Sequence, residues 1–460
     1  MARLGHHTLR FPTTTHVYTY YTGYDDCKLL NIHTSTPEQR EQIQGFIEET
    51  EADVWQSTRE LTTVVVCPFS DFLLLRKLND SGIRFDVVVA NLQTRFDSDY
   101  SGSVLAQASA SVHRGGESVF MKLLCKYFSV HCESPEPPKK KTEIVPNIDI
   151  VGKFASHAQI GHWLSQISAR HSHISSLENI GTSYEGRNMT IIKIGKPRTD
   201  GANKPIIWID AGVHAREWIS TAVSISTINT LLTKSETDRR VATMLEKFDW
   251  YILPVANPDG YYFSRNGHRF WRKTRRPQFP CFGVDMNRNF DINFGGAGSS
   301  ASKCSEVYRG TKAFSEPEAA NMRNVLTRHK DRIRGVVSLH SYGQLLLLPY
   351  SFTSTKPPDY LDLERLANVT AEAIERVNGR RYGYGTAPDL LYPTSGSSID
   401  WAKMKLGIKY TLGIELPPHT ATASRLGFAV SEREIAPSAE EVFAALSAMS
   451  AHIDSPLGRT

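Results

Sequence analysis

Apolar and polar positions repeat along this chain with periods that change twice, and the changes divide it into three. Between about residues 16 and 97, short β-rich runs are interleaved with helical ones. TTVVVCPF and FDVVVANL have the near-continuous apolar character of strands. TPEQREQIQGFIEET opens on Thr36 with a glutamate soon after, which reads as a helix start with a capping box. This first part predicts a small α+β unit. Between about 98 and 148 the pattern dissolves. SGSVLAQASASVHRGGESV is rich in Ser, Ala and Gly, and CESPEPPKKKTEIVPN in Pro and Lys, so this stretch reads as a linker. From 149 to 460, strand and helix patterns alternate without an internal repeat. The strands expected are MTIIKIG, PIIWIDA, WYILPVAN, RGVVSLHSY, QLLLLPY and GIKYTLGIEL. The helices expected include AQIGHWLSQISARH, AVSISTINTLLTK, EPEAANMRNVLTRHK, YLDLERLANVTAEAIERVN and AEEVFAALSAMSAHI. That alternation predicts an α/β domain with helices on both faces of a sheet.

Composition narrows the function classes more than the fold. A net charge of +5 is small for 460 residues, and basic residues are dispersed apart from Lys139–Lys141 and the HRFWRKTRR run ending at Arg276. A nucleic-acid partner is therefore not expected. No apolar run reaches the length of a membrane-crossing helix, so no membrane partner is expected either. The first residues, MARLGHHTLRFPTTTHVYTY, lack the apolar core of a signal peptide. Six cysteines (Cys27, Cys67, Cys125, Cys132, Cys281 and Cys304) are too few for a disulfide-stapled mini-fold and match no common zinc spacing.

Chemistry concentrates after the predicted strands. DAGVHAREWIS follows PIIWI and sets His214 and Glu217 three apart, able to reach one metal ion from the same side of a turn. With 16 histidines in the chain, roughly one such His-x-x-Glu is expected by accident, so the pair alone is weak. His340, ending RGVVSLH, is the candidate for the third ligand that a catalytic zinc with an open fourth position needs, although taken singly it reads as a hydrogen-bonded histidine in a turn. Glu415 lies in the apolar run YTLGIEL, where a carboxylate is costly to bury without a partner. It is either an edge glutamate facing solvent or a general base. Arg272 in WRKT offers a cation for a developing oxyanion, and Asn287 with Arg288 in DMNRNF offers a fork for a carboxylate. Each arginine taken singly reads as a solvated surface residue.

Seven motifs together resemble one family. HAREW, ANPDGYYFS, FWRKTR, CFGVDMNRNFD, LHSYGQLLLLPY, LYPTSGSSIDW and GIKYTLGIEL occur in the order and rough spacing of the pancreatic-type (carboxypeptidase A/B-like) zinc metallocarboxypeptidases, over about residues 149–455. CPFSDFLLLRKLNDSGIRFDVVVANLQ resembles that family's inhibitory prodomain more diffusely. The resemblance implies a mixed central sheet with helices on both faces, preceded by a small α+β open-sandwich prodomain. It implies one Zn2+ held by His214, Glu217 and His340, with Glu415 as base and Arg272 stabilising the oxyanion. Arg216 would face the substrate channel and Tyr342 an outer subsite. Asn287 and Arg288 would hold the terminal carboxylate, with Tyr392 closing over it. The substrate would be a peptide or protein C-terminus, released by an enzyme made as a zymogen.

For specificity, the family separates apolar from basic preference at one pocket position, here Ile399, where basic-preferring members carry an acid. Gly413 adds room, so apolar or aromatic C-terminal residues are expected. Ser351 and Asp389 are less typical of that type and keep a mixed or basic preference as the alternative. The resemblance also implies a Cys281–Cys304 disulfide. Cys125 and Cys132 have no counterpart; they either pair with each other or remain free thiols. Sequons at Asn79, Asn188 and Asn368 fit a secretory route, so an extracellular, secreted monomer is expected despite the N-terminus. A trypsin-like cut at Lys139–Lys141 is the expected activation step. The rival readings are a catalytically silent peptide-binding relative and a chain whose long connector prevents activation.

Overall fold

A computed structural model describes residues 24, 26–50, 52–94, 148–419 and 427–455. Near the N-terminus, β1 (Lys28–His33), β2 (Asp53–Ser57), β3 (Leu61–Val66) and β4 (Phe85–Val89) form an antiparallel sheet in the order β2-β3-β1-β4. Helices Pro37–Thr50 and Pro68–Asp80 accompany it. Side chains alternate across a strand. Leu30, Ile32, Val64 and Val66 therefore meet Ile43, Ile47, Leu74 and Leu78 of the helices in a small core. Their neighbours Leu29 and Val65 join a different cluster, shared with the larger body through Phe270, Tyr342 and Phe428. Because both faces are covered, TTVVV reads as continuous rather than alternating. At the first helix Gln39 N–H donates to Thr36 Oγ1, but the Gln39 side chain accepts from Ser35 N–H, one residue ahead of Thr36, so the expected capping box is only half formed. A disulfide joins Cys27, ahead of β1, to Cys67, ahead of the second helix.

The larger body holds an eight-stranded sheet of β5 (Ser175–Thr182), β6 (Asn188–Ile194), β7 (Ile206–Ala211), β8 (Asp249–Leu253), β11 (Ile333–Ser341), β12 (Leu345–Leu348), β13 (Gly383–Thr386) and β14 (Tyr410–Leu416). Their order is β13-β12-β14-β11-β7-β8-β6-β5. A short hairpin of β9 (Pro277–Gln278) and β10 (Cys281–Phe282) stands apart. The centre, β14-β11-β7-β8, is parallel, while β6 and β12 join it antiparallel, so the sheet is mixed. One face packs on helices His157–Arg170, Trp218–Thr233, Tyr360–Asn378 and Ile435–Asp454, and the other on Pro317–His329 and Ser398–Leu406. The run IIWID in β7 is buried throughout because its alternate residues feed these two cores.

Elements not expected from periodicity are short or polar. β5, SSLENIGT, sits at the sheet edge with much of its length exposed, so it carries little apolar signal. The disulfide Cys281–Cys304 is present. Cys125, Cys132 and Lys139–Lys141 lie outside the described residues. No helix among the described residues is long and apolar enough to cross a membrane.

Candidate active site

Three parallel strands end at one place. β7 runs into the turn bearing His214 and Glu217, with Glu217 at the start of helix Trp218–Thr233. β11 ends with His340, and β14 pairs it so that Glu415 stands opposite His340. Such carboxyl ends of strands are where an open α/β sheet leaves a crevice. His214, Glu217 and His340 are all buried, and their ligand atoms lie within 4.8 Å of one another. His214 Nδ1 is 2.7 Å from Glu217 Oε1, and His340 Nδ1 is 3.0 Å from Glu217 Oε2.

The two Nδ1 atoms approach to 3.2 Å. Two nitrogens bound tetrahedrally to one zinc at its usual bond length stand about 3.3 Å apart, so the donor set fits that ion. The electrostatics agree. Burial opposes the charge of Glu217, but His214 and His340 hold its carboxyl well below the usual range. Burial likewise opposes a charge on His340, but Glu217 outweighs it and lifts the ring above its ordinary value. An ionised carboxylate buried between two imidazoles is a donor set suited to a divalent cation.

Asp285 organises the far side. It accepts from His214 Nε2 at 3.1 Å and from Arg272 Nε and Nη2 at 3.0 and 2.9 Å. Burial works against its charge, yet Arg272 and Arg288 hold it well below the usual carboxylate range. Arg272 Nη1 is thereby turned toward Glu217, 3.9 Å from its Oε1. Sequence reasoning did not single out Asp285. Its only signal was its place at the head of DMNRNF.

A cavity of about 120 Å3 opens from this cluster, lined by His214, Glu217, Arg272, Asn287, Arg288, Ser338, His340, Tyr342, Tyr392, Ile399, Gly413 and Glu415 among others. Asn287 accepts the Ser398 N–H through Oδ1, which turns its amide donors away from that contact. Arg288 is anchored by Nε on Gly298 O and by Nη1 on Asn287 O. The Tyr342 hydroxyl and Ser398 Oγ are buried without a partner among the described residues, as groups awaiting a ligand would be. Glu415 is no edge glutamate, since β14 lies between β12 and β11. Burial and then Glu217 push it up to about 7, against the pull of His340 and Arg272.

Arg216 alone among the expected site residues is missing from the cavity wall. It is engaged by the N-terminal sheet: Nη1 reaches both carboxylate oxygens of Asp53 at 2.8 Å, Nη2 donates to Val54 O, and the guanidinium lies over Phe428. Trp55, Gln56 and Ser57 line the cavity beside it. Trp55 packs on Phe270 and Phe428, and a Cβ on Gly427 would come within 2.4 Å of its ring. Gly427 also has φ of +49°, so both backbone and contact favour glycine there. Farther out, the Tyr24 hydroxyl accepts from Phe270 N–H and lies 2.7 Å from His268 Nδ1.

A buried acid-and-imidazole metal cluster at the mouth of a parallel sheet, beside a buried carboxylate and two guanidinium groups, defines a metal-dependent hydrolase. The chain belongs to the zinc carboxypeptidase family: the zinc carboxypeptidase model matches residues 160–445, and the carboxypeptidase activation peptide model matches residues 30–99. It is a zinc-dependent exopeptidase with a zymogen propeptide. Carboxypeptidase A2 of Rattus norvegicus is 33% identical over 91% of this chain and 92% of its own length. Carboxypeptidase A6 of Homo sapiens is 31% identical over 95% of this chain and 92% of its own. Carboxypeptidase B of Astacus astacus is 37% identical over 63% of this chain and 93% of its own. Among solved structures, carboxypeptidase A from Helicoverpa armigera superposes with TM-score 0.76 at 25% identity, covering 93% of this chain and 98% of that one. Thrombin activatable fibrinolysis inhibitor gives 0.74 at 26%, covering 94% and 99%.

Proposed function

We propose that the enzyme removes single apolar or aromatic residues from free peptide C-termini, with His214, Glu217 and His340 holding the zinc. Zinc, when bound, polarises the scissile carbonyl and acidifies water. The protein's own residues do the rest. Asn287 and Arg288 hold the terminal carboxylate at a set distance from the cluster, which makes the enzyme an exopeptidase. Tyr392 closes over that carboxylate and Tyr342 lines an outer subsite. Glu415 takes the proton from the attacking water, and Arg272 faces the charge that develops on the carbonyl oxygen.

The observation that carries the preference is the make-up of the cavity wall. Among the described residues its only carboxylates are Glu217 and Glu415, both at the cluster, while Ile399, Gly413, Leu347 and Ala387 supply apolar lining. Two features favour this reading over the alternative mixed or basic preference. Asp389 pairs with Lys356 and caps its own short helix, and the acid behind Ser351, Asp400, is fully buried and pushed up to about 7 by that burial. The test is to cut the purified chain briefly with trypsin and weigh peptides ending in Phe, Trp, Leu, Lys or Arg before and after incubation. Loss of one apolar residue, only after the cut and blocked by a chelator, is expected. Preferential loss of Lys or Arg would overturn the pocket assignment.

Pocket size gives a finer expectation. A Cβ at Gly413 would sit at ordinary contact distance from Leu347 and Ile399, 3.4 and 3.7 Å, so Gly413→Ala folds normally while narrowing the pocket. It should lower kcat/KM for peptides ending in Trp about tenfold more than for those ending in Leu, the scale of one methyl in an apolar pocket. Equal effects on both would remove Gly413 from the specificity wall.

The N-terminal unit is read as inhibitory because Asp53 pairs with Arg216 and Trp55, Gln56 and Ser57 form part of the cavity wall. Its docking should depend on pH. Burial lowers His268 to about 4, with Arg216 and Arg275 adding to the effect and Asp53 opposing it. The docked form then binds fewer protons than one in which the ring is free at its ordinary value. Docking is therefore strongest at neutral pH and weakens as pH falls below that value toward 4. Activity of the uncut chain, divided by that of the cut enzyme, should rise between about pH 7.5 and about pH 5. His268→Gln should flatten the rise, and an unchanged slope would exclude His268 as its source. The two disulfides among the described residues fit the extracellular setting proposed for this enzyme.

A further inference from the structure

We propose that Ser338 and Asp210 are positioning residues that dictate which ring nitrogen of His340 carries its proton, keeping Nδ1 open for the metal. The inference rests on the reading of His340 as a zinc ligand.

Register brings the three together. Ser338 of β11 pairs with Asp210 of β7, and His340 lies two residues farther along β11 on the same face. The Nδ1 atom of His340 looks toward Glu217 and His214, while its Nε2 lies 3.0 Å from Ser338 Oγ. Ser338 has one hydrogen, and it goes to Asp210 Oδ1 at 2.6 Å. The serine oxygen is left only as an acceptor, so the neutral ring must place its hydrogen on Nε2. Asp210 cannot reverse the direction, because its other oxygen accepts from Trp208 Nε1 at 2.8 Å and a carboxylate has no hydrogen to give. Trp208, Asp210 and Ser338 are each no more than 1% exposed, so bulk water does not compete for these links. His214 gets the same service in one step, directly from Asp285. For His340 the carboxylate acts at one remove, through a hydroxyl.

Reversing the polarity is possible without changing shape. In Asp210→Asn, the amide oxygen must face the buried Trp208 N–H, which turns the amide NH2 toward Ser338. The serine then gives its hydrogen to His340 Nε2, and the ring's own proton moves to Nδ1, where the metal has to bind. Ser338→Ala removes the relay altogether. Ser338→Thr keeps the hydroxyl, and the residue paired with this position in β14 is Gly413, which has no side chain of its own.

The experiment uses the full uncut chain. Zinc dissociation constants are measured by chelator competition, and the tautomer of His340 is read by 15N NMR of the metal-free chain at a pH where the ring is neutral. The wild-type ring should carry its proton on Nε2. Asp210→Asn should move it to Nδ1, both Asp210→Asn and Ser338→Ala should bind zinc about 10- to 100-fold more weakly, and Ser338→Thr should restore the affinity. An Nδ1–H tautomer in the wild type overturns the proposal without any variant. His340→Ala separates the two readings. If it leaves zinc affinity unchanged, the ligand assignment fails and the relay with it. If it weakens binding while Asp210→Asn and Ser338→Ala bind as wild type, the ligand stands and the relay is wrong.

Discussion

Glu415→Gln is expected to keep its zinc and lose its turnover. Glu415 is not among the three convergent ligand atoms, so the substitution leaves the metal's donors intact. The amide matches the carboxylate in shape and lies between the same strands. What it lacks is basicity: a positioned general base contributes about a hundred- to ten-thousandfold in rate, and glutamine cannot accept the proton of the attacking water. The wild-type carboxyl, pushed up to about 7 by burial and Glu217, is a better base than an exposed one, and it must be ionised to act. Metal analysis beside single-turnover kinetics is the check. A variant with zinc bound and turnover within a few-fold of wild type would place the base elsewhere.

Arg288→Lys is expected to be nearly as damaging, for a different reason. Arg288 spends Nε on Gly298 O and one Nη1 hydrogen on Asn287 O, which fixes the plane of the fork. A lysine keeps the charge and loses both the anchoring and the paired donors. We expect kcat/KM to fall by about a hundredfold, roughly 3 kcal/mol, carried mainly by KM. The diagnostic measurement compares a peptide with its C-terminal amide. Wild type should discriminate strongly against the amide, and the variant should lose most of that gap. Retained discrimination would move carboxylate recognition to another group.

The two mutants test residues that were legible before any fold was known, and for a common reason. His214, Glu217, His340 and Glu415 each follow or occupy an apolar run that reads as a strand, and it was their company in ordered motifs that marked them. Asn287 and Arg288 were marked by adjacency. What was not legible is what depends on register or on distant partners. Asp285 reads as one more loop acid until it is seen between a histidine and two arginines. Asp210 and Ser338 lie 128 positions apart, and nothing local says that they pair. Arg216 was read as facing substrate, but its partner in this form, Asp53, comes from the other sheet. The Cys27–Cys67 pairing was equally silent, because spacing alone does not fix connectivity.

The pairing of β11 with both β7 and β14 also bears on how the molecule is made. His340 meets Glu415 through one pairing, and Ser338 meets Asp210 through the other. A slip of one residue would turn each of these side chains to the opposite face. These are contacts between segments far apart in the chain, the slow kind to form, because loop closure is penalised before any contact rewards it. A half-folded chain therefore owns no weaker version of the site. Metal uptake should arrive late and all at once, so that a zinc-binding signal followed during refolding is a clock for the completion of the central sheet.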